Sequence, residues 1–354
     1  MNRRRLLVPL LLVMALVGAA CGADDEEAST ATTSGEGTST TVAAPEFAAG
    51  TTMAALQDKG KIVVGTKFNQ LGSGQKNPTT GEVEGFDVEI AKLIAIGIFG
   101  GTLDDIGDKI EFKETVSGIR EAVIQGGDVD IVAATYTIND NRKKQVDFAG
   151  PYVIDGQTVM VKSDNDTIKA LTDLTGKKVC SGTGSTTPDN LKAKQVTPSE
   201  LVLRATYPEC ADELRQGRVE AVVTDRGILI GLVAASSRAF KLVDIDVSEE
   251  PLGIGLKKGD DAFREFLNTR LEEIYASGEW ADAYERTLGK LGLKTPEPPA
   301  VNKYASTGTA TTLATTTIPA STTTAAGAST TTTAGGGSTS TTTSADGSPS
   351  TSRP

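Results

Sequence analysis

An α/β fold in two lobes is what this sequence predicts, on three observations. Short apolar runs of strand character alternate with stretches whose apolar residues return at helical spacing, the rhythm of parallel sheets covered by helices. That rhythm runs once from Lys61 to Ala134 and restarts at Lys178, giving two series of about 100 residues each. The ends of the 354-residue chain are compositionally unlike its middle, so the folded part is confined to about Met53–Lys294.

The elements follow in order. Lys61–Thr66 is a short apolar run closed by glycines on either side, hence a buried strand. Val88, Ile90, Ala91, Ile94, Ala95 and Ile98 repeat at helical spacing and place a helix over 86–98. Glu111–Val116 is strand-like, 118–125 is helical and stops at Gly126-Gly127, and Val129–Ala134 is again a strand. In the second series a strand at 178–180 is followed by a helix at 187–194 and a strand at 201–205. A helix at 209–216 then stops at Gly217, and 219–224 is a strand. One more strand at 253–257 and helices at 262–276 and 280–288 close the fold.

The composition excludes several chemistries. There is no histidine, so no His-based triad, no His-ligated zinc or haem, and no imidazole base near neutral pH. No metal site and no cofactor is expected. The formal charge of −11 and pI near 4.8 argue against a nucleic-acid partner, which needs a basic face.

Residues 1–21 read as an export signal. Arg3, Arg4 and Arg5 precede the apolar run Leu6–Val17, and Gly18-Ala19-Ala20 stand before Cys21. The run is shorter than the ~20 apolar residues that span a bilayer. A cysteine after small residues resembles a bacterial lipoprotein processing box, with Cys21 lipidated at the mature N-terminus. A plain secretory peptide is the alternative, since Gly18 stands where Leu is usual. Removing the leader takes three arginines and moves the charge from −11 to −14. Residues 22–52 are acidic and Ser/Thr-rich, without Lys or Arg, and are expected to be a flexible tether. Residues 296–354 are expected to be a disordered Thr/Ser/Ala/Gly tail, with an O-glycosylated stalk as the alternative. In an exported chain, Cys180 and Cys210 are most simply a disulfide, with two free thiols as the alternative. Closing that loop contributes roughly 3–4 kcal/mol in the chain-entropy model.

The polar groups that carry chemistry follow a strand end, the edge where open α/β sheets place ligands. In Ala134-Thr135-Tyr136-Thr137-Ile138-Asn139-Asp140-Asn141-Arg142, Thr137 offers a hydroxyl donor. Arg142 offers a planar fork suited to a carboxylate, unless it is a solvated helix residue paired with Asp140 or Asp147.

These residues also carry a resemblance. Gly85-Phe86-Asp87-Val88-Glu89-Ile90-Ala91, the Thr135-to-Phe148 block with Pro151-Tyr152, Asp173-to-Val179, Gly182-Thr183-Gly184-Ser185-Thr186, Gln216-to-Asp225 and Gly278-Glu279-Trp280 resemble, in order, the family 3 polar amino-acid solute-binding proteins of ABC importers. Gly65-to-Gln70 and Ala134-to-Thr137 look most like the glutamate-type binding lipoproteins of actinobacteria. The resemblance implies a type II periplasmic-binding-protein-like fold of two mixed sheets flanked by helices and joined by a two-strand hinge. Lobe 1 would be 53–155 plus 251–295 and lobe 2 would be 156–250. It implies a monomeric, membrane-anchored receptor that delivers an amino acid to permease subunits.

Residue by residue, the resemblance places the ligand's α-carboxylate on Arg142 with Thr137, beside Thr135. It places the α-ammonium on Asp225, contributed by the other lobe. Phe86 and Tyr136 would wall the ligand's carbon chain, and the backbone N–H groups of Thr183 and Gly184 would bind an anion. Lys67 and Arg120 would supply the positive charge that an acidic side chain needs, without which its burial costs several kcal/mol. Asn69 and Gln70 suit an amide equally well, so glutamine and asparagine stand beside glutamate and aspartate. Arg226 sits where an acidic residue is common and, turned inward, would compete for Asp225. The alternatives are an amino-acid sensor signalling to a membrane partner and a dehydratase-type enzyme, which without histidine would need a carboxylate such as Glu114 or a lysine.

Overall fold

The computed structural model describes residues 42–304. The expected signal, Cys21, most of the tether and the tail beyond Tyr304 lie outside them. After a short helix α1 (Thr52–Lys59), β1 (Ile62–Thr66) is buried at every position, as befits a strand covered on both faces. A small antiparallel sheet follows: β2 (Asn69–Gln70), β3 (Gly74–Lys76) and β4 (Val83–Glu84). Helix α2 (Phe86–Phe99) buries ten of its fourteen residues and forms the middle of the largest core. Then come β5 (Ile110–Glu114), α3 (Arg120–Gly126), β6 (Ile131–Val132) and the single-turn α4 (Asp140–Lys143).

The 16-residue strand β7 (Asp147–Lys162) leads into β8 (Lys178–Gly182), α5 (Thr187–Ala193), β9 (Glu200–Arg204), α6 (Tyr207–Arg215) and β10 (Ala221–Asp225). Helix α6 starts two residues before the sequence predicts. Pro208 is pre-set for a first helical turn, and Glu209 folds back to accept from the Thr206 N–H at 3.0 Å. Helix α7 (Arg226–Ala235), the 17-residue strand β11 (Phe240–Leu256), α8 (Asp261–Ser277) and α9 (Glu279–Glu285) complete the chain.

The main sheet runs β5-β1-β6-β11-β7-β10-β8-β9. Within each series the strands pair in parallel, as alternation predicts (β1 with β5 and β6; β8 with β9 and β10). The sheets are mixed because β7 and β11 run antiparallel to their neighbours and to each other. Both strands are long enough to serve two bodies of core. Their outer ends, Asp147–Ala149 and Ile254–Leu256, pair with each other over the main core, and Gln157–Met160 also pairs with β10. The hydrophobic clusters divide the same way. Two draw their buried residues from 53–153 and 252–288, and two draw theirs from 159–247. In the latter part Cys180 and Cys210 form the expected disulfide, tying β8 to α6.

The two bodies approach closely at two glycines. A Cβ on Gly231 of α7 would stand 2.5 Å from the Leu71 carbonyl oxygen. Gly184, at φ +77°, packs on Gly118, where a Cβ would meet the Gly118 Cα at 2.7 Å.

Both ends of the folded part extend beyond the sequence expectation. Val42 bridges to Gly101, and Phe47 packs edge-on against Phe266 at 5.3 Å, although tether was expected through residue 52. At the other end Val301 packs on the main core, and the Asn302 N–H donates to the Gly150 carbonyl at 2.8 Å. Low charge and many small residues made these segments look unfit to pack. A few apolar side chains in each suffice, because they land on a core already built.

Candidate functional site

A narrow cavity of about 10 Å³ lies between the two bodies. One wall is Ser117, Arg120, Thr135, Thr137 and Arg142, and the other is Gln157, Ser185, Thr186, Tyr207, Asp225 and Ile228.

Arg142 reaches it from α4, where the Asn139 side chain caps the turn by accepting from the Arg142 N–H at 2.9 Å. Its guanidinium donates to the Thr137 carbonyl at 2.7 Å and the Gly184 carbonyl at 2.9 Å, and Nε stands 3.6 Å from Glu121. The spacing argument that paired Arg142 with Asp140 or Asp147 does not hold. Asp140 binds Lys143, and Asp147 binds Lys258. Arg120 is fully buried beside it and donates to the carbonyls of Ser117, Ala134, Thr135 and Gly184. Burial, then the repulsion of Arg142, pushes Arg120 down to about 10. Lys67 stands behind the wall, donating to the Ser117 hydroxyl at 2.9 Å. Burial and then Arg120 push its ammonium well below the ordinary lysine range. Three buried cations thus crowd one side of the cavity, an arrangement that favours an anion.

Asp225 faces them from the end of β10. Its carboxylate accepts from Gln157 at 3.3 Å, and burial, then Asp155 and Glu250, raise it well above the ordinary carboxylate value. Arg226 does not compete, because it points outward to Asp244 and Asp246 at 3.3 and 3.7 Å.

Other expected residues are placed differently. Phe86 lies in the main core against Tyr152, Trp280 and Tyr284, because its position at the start of an almost wholly buried helix turns it inward. Tyr136 lies beneath the arginines, with the guanidinium carbons of Arg120 and Arg142 at 4.2 and 5.0 Å from its ring centre. It is therefore a platform for the cations, and the cavity is lined instead by Tyr207. The Thr183 N–H is taken by the Arg204 carbonyl at 2.8 Å, and the Gly184 carbonyl accepts from Arg120 and Arg142. Thr135 lines the cavity and donates to Gln70, while Asn69 binds Glu114, which is exposed and away from the cavity.

Sequence reasoning missed Gln157 and Glu250, which sit in the long strands β7 and β11. Glu250 accepts from four side chains: Thr137 at 2.6 Å, Thr186 at 2.9 Å, Asn190 at 2.7 Å and Ser248 at 2.6 Å. Thr137 belongs to one body and Thr186 and Asn190 to the other, so this carboxylate holds them together. The one available signal was a carboxylate flanking an apolar run: Asp155 before Val159-Met160-Val161 and Glu250 before Pro251-Leu252. Replacing the acceptor by Glu250→Gln leaves buried donors unpaired, each costing about 1–3 kcal/mol. The Thr137 bond joins the two bodies, so we expect Glu250→Gln to weaken closure and to speed ligand release about tenfold in stopped-flow measurements.

A fold of two α/β bodies gripping a charged cavity between them defines a clamp-type receptor. The chain belongs to the bacterial extracellular solute-binding proteins, family 3, whose model matches residues 62–290. It is 37% identical to the glutamate-binding protein GluB of Corynebacterium glutamicum over 261 residues, 71% of this chain and 86% of that one. It is also 37% identical to the ABC transporter glutamine-binding protein GlnH of Bacillus subtilis over 238 residues, 67% of this chain and 84% of that one. Among solved structures, an ancestral arginine-binding protein bound to glutamine superposes with a TM-score of 0.58 at 37% identity, covering 65% of this chain and 98% of that one. Among the described residues no helix is long and apolar enough to cross a membrane, and no group of acidic or thiol side chains is placed to hold a metal ion.

Proposed function

We propose that this protein captures an acidic or amide amino acid, glutamate first, between its two lobes and delivers it to the permease subunits of an ABC importer. One observation carries the reading: Arg142 and Asp225 face one small cavity from opposite bodies. An α-carboxylate on the first and an α-ammonium on the second satisfy both charges only when the bodies are together. Binding therefore favours the closed arrangement. Thr135 lies beside Arg142 in the same wall, and Arg120 with Lys67 behind Ser117 supplies the field for a second carboxylate. GluB and GlnH, by their names, bind the two ligands this arrangement suits best.

The lobes are taken as 53–155 with 251–295, and 156–250. The protein acts as a monomer held to the outer face of the membrane through lipid on Cys21. It is read as a binder without catalysis, in keeping with GluB and GlnH, which are by name binding proteins.

A thermal-shift screen of the purified protein against the twenty amino acids tests the reading. Any ligand that binds only the folded state raises the melting temperature. Glutamate should give the largest shift, followed by aspartate or glutamine. A response to arginine or lysine alone overturns the specificity.

A further inference from the structure

The chain does not leave the fold after its last helix. Residues 302–304 run beside the first residues of β7, which pair with β11 on one side, whereas β10 pairs with β7 only from Gln157 onward. There the Asn302 N–H donates to the Gly150 carbonyl, and the Tyr304 hydroxyl accepts from the Phe148 N–H at 2.8 Å and reaches Asp147 at 3.3 Å. The strap thus covers strand groups that no neighbouring strand satisfies.

Tyr304 does more than cover an edge. The charged groups of Arg264 and Lys143 stand 4.3 and 5.1 Å from the centre of its ring. Lys143 follows Arg142 in the single turn of α4, which is too short to hold its own orientation. Phe148, whose N–H Tyr304 holds, packs at 4.7 Å against Tyr136, and Tyr136 is the platform under Arg120 and Arg142. Tyr304 therefore grips both supports of the cationic wall, the helical turn that carries Arg142 and the aromatic pair beneath it.

We infer that Tyr304 is a positioning residue for the arginine pair, so that the segment just before the Thr-rich tail sets how tightly the receptor holds an anionic ligand. The inference rests on the proposed receptor function for its binding readout, and has a second readout that does not.

The test uses the full chain. Tyr304→Ala removes ring and hydroxyl, Tyr304→Phe keeps the ring, and Lys303→Ala is the control. Lys303 lies in the same strap but meets only Glu272 and Glu265, away from the arginines. Calorimetric titration with L-glutamate should show Kd raised about tenfold by Tyr304→Ala, a smaller rise with Tyr304→Phe, and none with Lys303→Ala. In the ligand-free proteins, hydrogen exchange across 134–148 should quicken in Tyr304→Ala and stay unchanged in Lys303→Ala. A purely structural strap would lower the melting temperature and leave Kd alone. A wild-type Kd in folded Tyr304→Ala therefore overturns the inference. If Tyr304→Ala does not fold, a wild-type Kd and exchange pattern in Tyr304→Phe overturns it equally. If the wild-type chain binds no glutamate, the receptor reading fails by itself. Exchange then decides the strap, with faster exchange supporting the inference and unchanged exchange overturning it.

Discussion

Arg142→Ala should abolish measurable amino-acid binding while leaving a folded protein. The guanidinium is the exposed-to-cavity member of the cationic wall, and its two carbonyl contacts, to Thr137 and Gly184, do not build the core of either body. Truncating it leaves a ligand carboxylate buried without its fork, a loss of about 3–5 kcal/mol for one partner of a buried pair. That is roughly a hundred- to several-thousand-fold in Kd. Arg142→Lys should recover only part, because an ammonium cannot reproduce two parallel donors. Folding should survive for a second reason. Removing Arg142 relieves its repulsion of Arg120 and Lys67, which lowers both of them. Calorimetric titration alongside a melting curve separates the two effects. A variant that melts like wild type and still binds at wild-type Kd removes Arg142 from the site.

Much of this wall was legible in the sequence, and the reasons are physical. Arg142 follows a strand end, and the order of motifs from Gly85 to Trp280 fixed its family counterpart. Asp225 was legible in the same way, as the last residue of a buried strand. The fold was legible wherever periodicity was local: α2, β1 and α8 need only their own residues to declare a face. Strands β7 and β11 were not, apart from the end of β11 predicted at 253–257, because each passes from one core to another. Their burial patterns change along their length, and Asp155-Gly156 and Ser248-Glu249-Glu250 interrupt the apolar residues where they cross. Glu250 was missed for the same reason. Its four donors come from residues as distant in sequence as Thr137, so no window around it contains the evidence.

The aromatic residues teach a different lesson. Phe86 and Tyr136 were assigned to the ligand by resemblance, yet each is buried. Phe86 is spent on the core and Tyr136 on holding cations. A motif can fix that an aromatic ring stands near a site without fixing which of its faces the site uses. The direction of a side chain depends on neighbours from other elements, here Trp280 and Tyr284 for Phe86 and Phe148 for Tyr136.

Asp225→Asn should move binding and stability in opposite directions. The ligand's ammonium loses its counter-charge, so affinity should fall about a hundredfold or more. The free protein should gain stability at neutral pH. In the fold Asp225 is raised well above its ordinary value by burial and by Asp155 and Glu250, so its charged form is the costly one. Between the unfolded and folded values the native state binds more protons than the unfolded chain. This carboxyl's contribution is therefore fully present below the unfolded value and is lost as pH rises. Asp87, raised from 3.8 to about 6 chiefly by burial, and Asp155, also raised, have the same sign. The ligand-free wild type should accordingly melt progressively lower as pH rises from about 4 through about 6 and beyond. Asparagine keeps an oxygen for Gln157 and carries no charge, so Asp225→Asn should melt higher than wild type at pH about 7.5 and show a shallower pH dependence. In wild type, ligand affinity should weaken toward acid, because protonated Asp225 cannot pair with an ammonium. Melting curves across this pH range, with and without glutamate, test both limbs. A ligand-free Asp225→Asn that melts lower than wild type at neutral pH would show that this carboxylate is paired in the free protein, contrary to the cavity described here.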